Sequence, residues 1–443
     1  MRLEDFLTQT LKAQPWGSDV ASILSAAIEA VDPFKATSDH LNLTGDQLHI
    51  GHLTYPLRKF ERVIVVGAGK AGLPMAEAVY DRLGQWITSG LVIVKEGYGG
   101  RPEVGPIEIR EAGHPIPDGR GLAATEDLVG MVSEAGANDL VLVLISGGGS
   151  ALLTRPVSGV SLEDLQMFTD LLLRSGAEIG EINRLRQRLD RVKGGGLARQ
   201  AAPAKLAALI LSDVVGDPLD LIASGPTVLP PIHKQSSMEF VRNYDLEDRL
   251  PESIRSVLRR QSPPPFMLKE PNNILVGNNE LAARAAMEQA ERLGFQTELI
   301  TTTLTGEARE VGELYSQRLL AYSSAGGPRP AMWVAGGETT VTVQGKGTGG
   351  RNQEVALAAV SGLAGLDDIA LVTLATDGGD GPTEAAGAVV TGETFSRARE
   401  QRLAPLDFLE NNDSYTFFQQ LGDCLIPGPT KTNVNDLLFL FYF

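Results

Sequence analysis

Residues 63–72 read VIVVGAGKAG. An unbroken apolar run, Val63 to Val66, enters a glycine turn without a spacer, and the turn leads into a helical pattern through Leu73, Met75, Ala76 and Val79. A fully apolar strand that feeds a helix in this way belongs in a parallel sheet covered on both faces. Gly67, Gly69 and Gly72 satisfy G-x-G-x-x-G, the spacing that lets backbone approach a pyrophosphate at a helix N-terminus. Lys70 adds a full positive charge where that terminus already attracts anions, so a phosphate or carboxylate is the expected partner. A tight strand-to-helix turn with an exposed lysine explains the same residues equally well.

Outward from this turn the pattern repeats. Residues 91–97 (LVIVKEG), 140–145, 207–212 (AALILS) and 273–276 read as further strands, with a helix expected over 122–135. Upstream, residues 6–31 have helical spacing, and Pro33 ends them. Residues 230–271 break the rhythm with Pro230, Pro231 and Pro263 to Pro265, which marks the expected domain junction. Alternation then resumes. Helices are expected over 280–293, 306–320 and 355–364, and strands over 297–301, 332–334, 339–343 and 369–376, with a closing apolar strand after Asp436. At 443 residues the chain exceeds what one core supports. The strands alternating with helices before residue 230 imply a parallel sheet covered on both faces, and the expected fold class is α/β: two α/β domains, residues 1–235 and 236–443, with a cleft between them.

A net charge of -16 leaves no basic face to replace phosphate counterions, which disfavours nucleic acid as a partner. An acidic ligand therefore needs a local basic pocket. Cys424 is the single cysteine, so no intrachain disulfide or thiolate zinc cluster can form, as suits a reducing cytoplasm. Residues 1–10, MRLEDFLTQT, carry acids where a secretory signal carries bases, and no apolar run reaches membrane-spanning length. A soluble cytoplasmic protein, with no membrane partner, is expected.

Chemistry concentrates in glycine-rich loops, because ligands of open parallel sheets bind outside strand C-termini. Ser146, Gly147, Gly148, Gly149 and Ser150 follow one strand; a single glycine would suffice for a turn, so an anion nest of backbone amides is expected. Residues 183–198, NRLRQRLDRVKGGGLA, carry Arg184, Arg186, Arg188, Arg191 and Lys193. Most of these are expected on a solvated helix face, with Lys193, beside three glycines, as the exception. Asp213 ends another strand, where a carboxylate holds Mg²⁺ or accepts a hydroxyl proton, whereas Asp217 before Pro218 fits a turn. Glu338 follows two glycines, and Arg351 and Asn352 stand where GTGGRNQE enters a helix. A guanidinium there suits bidentate clamping of phosphate or carboxylate. Asp377 and Asp380 follow a further strand, and PGPTKTNVNDL holds Asn433 and Asp436 in what also reads as a cap-and-turn cluster.

The five histidines do not pair at metal-ligand spacing, and neither G-x-S-x-G nor G-x-x-x-x-G-K-[ST] occurs. Zinc hydrolase, serine hydrolase and Walker NTPase readings lack support. The inventory suits phosphoryl transfer, with lysine and arginine on the moving group and carboxylates on a metal.

The ordered set GAGKAG, GHPIPD, SGGGSALL, SDVVGDPLDLIASGPT, GGETTVTVQGKGTGGRNQE, TDGGDGPTEAAGA, NDSYTFF and GPTKTNVNDL resembles the glycerate 2-kinase family with its C-terminal MOFRL motifs, over about residues 5–440. The resemblance implies ATP- and Mg²⁺-dependent phosphorylation of D-glycerate at its 2-hydroxyl. It also implies a Rossmann-like, doubly wound N-terminal domain, a smaller C-terminal α/β domain with the MOFRL motifs at about 330–440, and an active site in the interdomain cleft. The family's phosphoryl-handling lysine and arginine fall on Lys70 and Arg351, and Asp213 joins them as a catalytic residue. Gly67, Gly69, Ser146, Gly147, Gly148, Gly149, Ser150, Lys193, Asn352 and Asn433 are assigned to substrate and nucleotide, and Glu338 and Asp377 to metal. Members often read RKHLS and VKGGRLA where this chain has RQRLD at 186–190 and Gly196, and glycine is usual where Lys431 stands.

An NAD(P)-dependent hydroxypyruvate reductase is the alternative. Relatives have carried that name, and Gly67, Gly69 and Gly72 with Glu96 would suit NAD. Such an enzyme commonly transfers its proton through histidine, and the histidine near a Gly/Pro loop is His114.

Overall fold

Strand β1 (Arg62–Ala68) carries the VIVV run into the middle of a seven-stranded sheet. The computed structural model describes residues 2–175, 179–229, 237–260 and 271–443. With β2 (Ser89–Lys95), β3 (Ile107–Ala112), β4 (Asp139–Ile145), β5 (Lys205–Leu211) and β6 (Asn272–Gly277), the sheet runs in the order β6-β5-β4-β1-β2-β3, and Glu103–Val104 is an antiparallel edge on β3. Pairing from β3 through β2, β1 and β4 to β5 is parallel throughout. This is the doubly wound order of dinucleotide-binding folds, and its switch point lies between β1 and β4, where successive connections leave in opposite directions. All seven residues of β4 are buried, as a strand covered on both faces requires. Helices α1 (Gly72–Leu83) and α2 (Gly119–Ser133) follow β1 and β3. The apolar stripe of α2, Ala124, Leu128, Val129 and Val132, packs with Ile64, Val66, Val141 and Val143 of the sheet in one core.

A second core lies beyond the sheet, where α3 (Leu162–Arg174) and α4 (Ile179–Leu189) gather Phe168, Leu172, Leu185 and Leu189 with Val241 and Ile254. The prolines expected to mark the domain junction, Pro230, Pro231 and Pro263 to Pro265, lie outside the described residues.

The chain divides into two compact units, residues 33–276 and residues 1–32 with 277–443. These limits differ from a division at 235/236. Strand β6 completes the sheet of the first unit, and the helix Gly17–Ala30 packs in the second, where Ser22 Oγ accepts from Gln289 Nε2 at 2.8 Å and Val31 O accepts from Thr432 Oγ1 at 2.7 Å. The expected continuous helix over 6–31 is broken before Gly17, at Pro15 and Trp16, and Trp16 stacks on Phe443 with ring centroids 3.9 Å apart.

The second unit is built on a six-stranded sheet of β7 (Gln296–Leu304), β8 (Ala331–Gly337), β9 (Ile369–Ala375), β10 (Gly387–Thr391), β11 (Cys424–Leu425) and β12 (Asp436–Tyr442), in the order β7-β8-β12-β9-β10-β11. This sheet is mixed. Only β7 and β8 pair in parallel; β12 runs antiparallel to both β8 and β9, and β9, β10 and β11 continue antiparallel. A run such as LLFLFY specifies burial on both faces but not direction. Helices α5 (Asn279–Arg292), α6 (Ala308–Ser324) and α7 (Arg351–Leu363) belong to this unit, and α7 buries Val355, Ala356, Ala359, Val360 and Leu363. The strand expected over 339–343 is absent: Thr340 makes one isolated bridge to Glu307. No helix of the described residues is long and apolar enough to cross a membrane.

Candidate active site

In the first unit the loops that leave β1, β4 and β5, three adjacent strands, gather most of the expected side chains. The turn after β1 has spent its amides: Gly69 N donates to Ile93 O at 3.0 Å, Lys70 N to Gly147 O at 2.9 Å, Ala71 N to Ser146 Oγ at 3.0 Å and Gly72 N to Gly69 O at 3.1 Å. Gly69 has φ +148°, and a Cβ there would lie 2.1 Å from Ser146 Oγ. One at Gly67 would lie 2.3 Å from Leu144 O, so the two glycines answer to packing between the turn, β1 and β4. What the turn still offers a ligand is the Lys70 side chain, half-buried and with no ion pair or hydrogen bond among the described residues.

The loop after β4 behaves differently. Gly148 is left-handed at φ 83°, and the amides of Gly147, Gly148 and Ser150 donate to nothing among the described residues, as in an anion nest. Asp213 reaches this loop from β5: its Oδ2 lies 2.1 Å from where a Gly147 Cβ would stand. His114 and Lys70 reach it too, with His114 Nε2 3.1 Å and Lys70 Cγ 3.4 Å from the corresponding point on Gly148. Burial, then the charges of Lys70 and Lys95, push the His114 imidazole down to about 4, so it is neutral near pH 7. Ser150 Oγ meets Ser224 Oγ at 2.7 Å, and Ser224 donates on to Asn183 Oδ1 at 2.9 Å.

Beside the loop is a cavity of about 210 Å³, lined by His114, Gly148, Ser150, Thr154, Thr169, Arg186, Asp190 and Lys193, among others. Lys193 is 5 % exposed, as the sequence led one to watch for, but its ammonium is taken: it donates to Asp190 Oδ2 at 2.6 Å and Leu153 O at 3.0 Å. The expectation of a solvated arginine face is corrected at two positions. Arg188 donates from a part-buried site to Arg260 O at 2.6 Å. Arg186 lines the cavity with no hydrogen bond or ion pair among the described residues, and burial alone pushes its guanidinium below its ordinary value. At Gly196 a Cβ would stand 2.1 Å from Arg191 O, which explains glycine there in this chain.

The second unit holds the other group. Arg351 is the first residue of α7; its Nε donates to Asp436 Oδ2 at 2.5 Å and its Nη1 to Glu338 Oε1. Burial opposes the guanidinium's charge, but Asp436, Glu338 and Asp380 outweigh it and hold its pKa above the ordinary value. Asp436 sits at the start of β12, and burial pushes its carboxyl up to about 6 against the pull of Arg351. Asp380 is also raised by burial, while Gln353 N donates to its Oδ2 at 2.9 Å. Asn352 Nδ2 is buried beside Asp436 and, after Arg351, favours its charged carboxylate. The glycine loop before α7 hangs on the NDSY motif: Asn412 Oδ1 accepts from Gln344 N at 2.8 Å and Gly345 N at 2.9 Å, and Asp413 Oδ1 from Thr348 N at 2.9 Å. Glu354, read from the sequence as a first-turn acid, is buried and ion-paired with Arg309 at 2.9 Å.

Asp377 is exposed after β9, with Oδ1 accepting from Gly379 N at 3.2 Å. Asn433 Oδ1 accepts from Asn435 N at 3.1 Å. Lys431 has φ +68°, a left-handed position that explains why glycine suits it. Among the described residues no three His, Cys, Asp or Glu side chains converge as a metal cage.

A doubly wound sheet with an open amide nest and a free lysine at its switch point, followed by a mixed-sheet unit with a carboxylate-braced arginine, defines an α/β enzyme of the anion-handling class. Residues 19–259 match a family model described as a domain of unknown function, DUF4147, and residues 331–436 match the MOFRL family. The chain is 41% identical over 421 residues to the D-glycerate 2-kinase of Thermotoga maritima, covering 94% of this chain and 96% of that one. It is 40% identical over 425 residues to the glycerate 2-kinase of Pyrococcus horikoshii, covering 94% and 95%. The crystal structure of glycerate kinase from Thermotoga maritima superposes with a TM-score of 0.86 at 40% identity, covering 95% of this chain and 98% of that one. The chain belongs to the glycerate 2-kinase family with a C-terminal MOFRL region.

Proposed function

We propose that this protein transfers the γ-phosphoryl group of ATP to the 2-hydroxyl of D-glycerate, giving 2-phospho-D-glycerate and ADP, with a divalent cation, Mg²⁺, bound alongside. The observation that carries the reading is the division of labour around β1 and β4. The amides of residues 69–72 are consumed internally, so a dinucleotide pyrophosphate has no cradle there, while the Lys70 ammonium stands free beside an open nest at Gly147 and Gly148. A free point charge beside unspent amides suits phosphoryl oxygens better than a nicotinamide cofactor.

In this reading Lys70 stabilises charge on the phosphoryl group in flight, and Asp213, against Gly147, receives the proton of the 2-hydroxyl. Arg351 neutralises phosphate charge, its orientation fixed by Asp436. Glu338 and Asp377 both keep solvent-accessible carboxylates, and Mg²⁺ is commonly held by one or two carboxylates together with substrate phosphates and water, so this donor set fits the ion. The cation would neutralise phosphate charge; Glu338 and Asp377 would hold it. The test is incubation of the purified chain with ATP, Mg²⁺ and D-glycerate, followed by phosphorus NMR, with NADH and hydroxypyruvate in a parallel reaction. Appearance of 2-phosphoglycerate is expected. Oxidation of NADH without ATP consumption would replace this reading with the reductase.

A further inference from the structure

The cavity beside the 146–150 loop is smaller than the roughly 300–1,000 Å³ sites that take drug-sized ligands, so it suits a small acid rather than a nucleotide. Its charges are unevenly matched. Lys193 and Asp190 cancel at 2.6 Å, and His114 is neutral near pH 7, which leaves Arg186 as the one uncompensated positive charge among the described residues that line the cavity. A half-buried guanidinium without a partner is costly, and that cost is ordinarily relieved by an anion. The Ser150, Thr154 and Thr169 hydroxyls on the same wall already donate, to Ser224 Oγ, Ala151 O and Leu165 O, so each offers a lone pair that can accept from a hydroxyl of a hydroxy acid. The position is also unusual in its helix. Ile182, Leu185 and Leu189 of α4 point into the helical core, and Arg186 falls in the same i, i+3, i+4, i+7 stripe, where an apolar residue would be expected.

We propose that Arg186 binds the carboxylate of the acceptor acid in this cavity, and that its single unpaired charge makes the site selective for monocarboxylates. The proposal rests on the kinase reading above and assigns the acceptor's end of that reaction. The carboxylate is held by the Arg186 fork, and the cavity wall at Gly148 and Ser150 brings the bound acid beside Lys70 and His114. Lys193 then acts as a positioning residue, since Asp190 already has its charge.

The test compares wild type, Arg186→Gln and Arg186→Lys with D-glycerate and with its neutral amide, glyceramide. Hydrogen bonds to charged groups are worth enough that Arg186→Gln should raise the KM for D-glycerate about 10- to 100-fold. The KM for ATP and for glyceramide should stay within about twofold, and Arg186→Lys should fall between, because it keeps the charge and loses the fork. Equal rises for glyceramide and D-glycerate, or a rise confined to ATP, would overturn the assignment. Thermal melting serves as the folding control: loss of an unpaired charge should leave the midpoint unchanged or higher. If wild type does not phosphorylate D-glycerate, the kinase reading fails separately. Calorimetric titration with D-glycerate then decides the carboxylate site, binding in wild type and its loss in Arg186→Gln supporting it, and no difference overturning it.

Discussion

Arg351 Nε donates to Asp436 Oδ2 at 2.5 Å, joining the first turn of α7 to the first residue of β12. Asp436→Asn should therefore loosen the guanidinium, leaving Glu338 as its remaining carboxylate partner, and lower kcat about 10- to 100-fold, with a smaller change in KM. The carboxyl, raised to about 6 by burial and only partly restrained by Arg351, also makes a stability prediction. Between its unfolded value and about 6 the folded state binds more protons than the unfolded, so stability falls as pH rises through that window. Urea titrations at several pH values should show this slope in wild type and lose it in Asp436→Asn. An unaltered slope would remove Asp436 as its source.

Lys70→Met should fold normally, since the ammonium has no partner among the described residues, but should depress kcat by roughly 10²- to 10³-fold with a smaller effect on KM. Lys70→Arg should restore activity only in part, a planar fork replacing a point charge in a tight turn. Near-normal turnover by folded Lys70→Met would sink the role assigned to it.

His114 should titrate near 4 by histidine NMR, and its value should rise in Lys70→Met, because Lys70 follows burial among the causes of its depression. The folded state binds fewer protons at this group than the unfolded between about 4 and the ordinary histidine value, so its contribution to stability is present at neutral pH and lost as pH falls through that window. A His114 resonance titrating near 6.5 in wild type would contradict the burial seen here.

Asp377→Asn should lower turnover strongly with little loss of stability, because the carboxylate is exposed and accepts only a local hydrogen bond, from Gly379 N, among the described residues. Exhaustive chelation with EDTA should abolish activity and Mg²⁺ should restore it. Undiminished turnover after chelation would remove the cation from the reaction.

Much of the first sheet was legible because β1, β4 and β5 are long apolar runs ended by glycine or serine, and because Lys70 puts a charge where a bare turn needs none. The direction of β12 was not, since LLFLFY reads the same forwards and backwards to a burial pattern. Arg186 was hidden in a charge run in which Arg184 and Arg191 do carry the usual solvated meaning. Its spacing from Ile182, Leu185 and Leu189 was the signal available. His114 was weighed only as a proton carrier for a different reaction, although its place in GHPIPD beside glycine loops was already visible. Asp436 was read with its neighbours as a cap cluster; that it braces Arg351 depends on β12 lying beside β8, a long-range pairing that local spacing does not encode.

The second unit joins residues 1–32 to 277–443, with the whole first unit intervening in sequence. Its assembly must therefore close a loop of more than two hundred residues, a cost that grows only slowly with length but weighs on folding rate. Residues 33–276 face no such wait. A fragment of residues 277–443 alone would lack the helix Gly17–Ala30 and the buried Thr10 that, with Arg397, ties up the Asp423 carboxylate. Independent expression of this unit thus calls for fusing residues 1–32 to residue 277 through a linker, whereas residues 33–276 can be cut out as one uninterrupted gene segment.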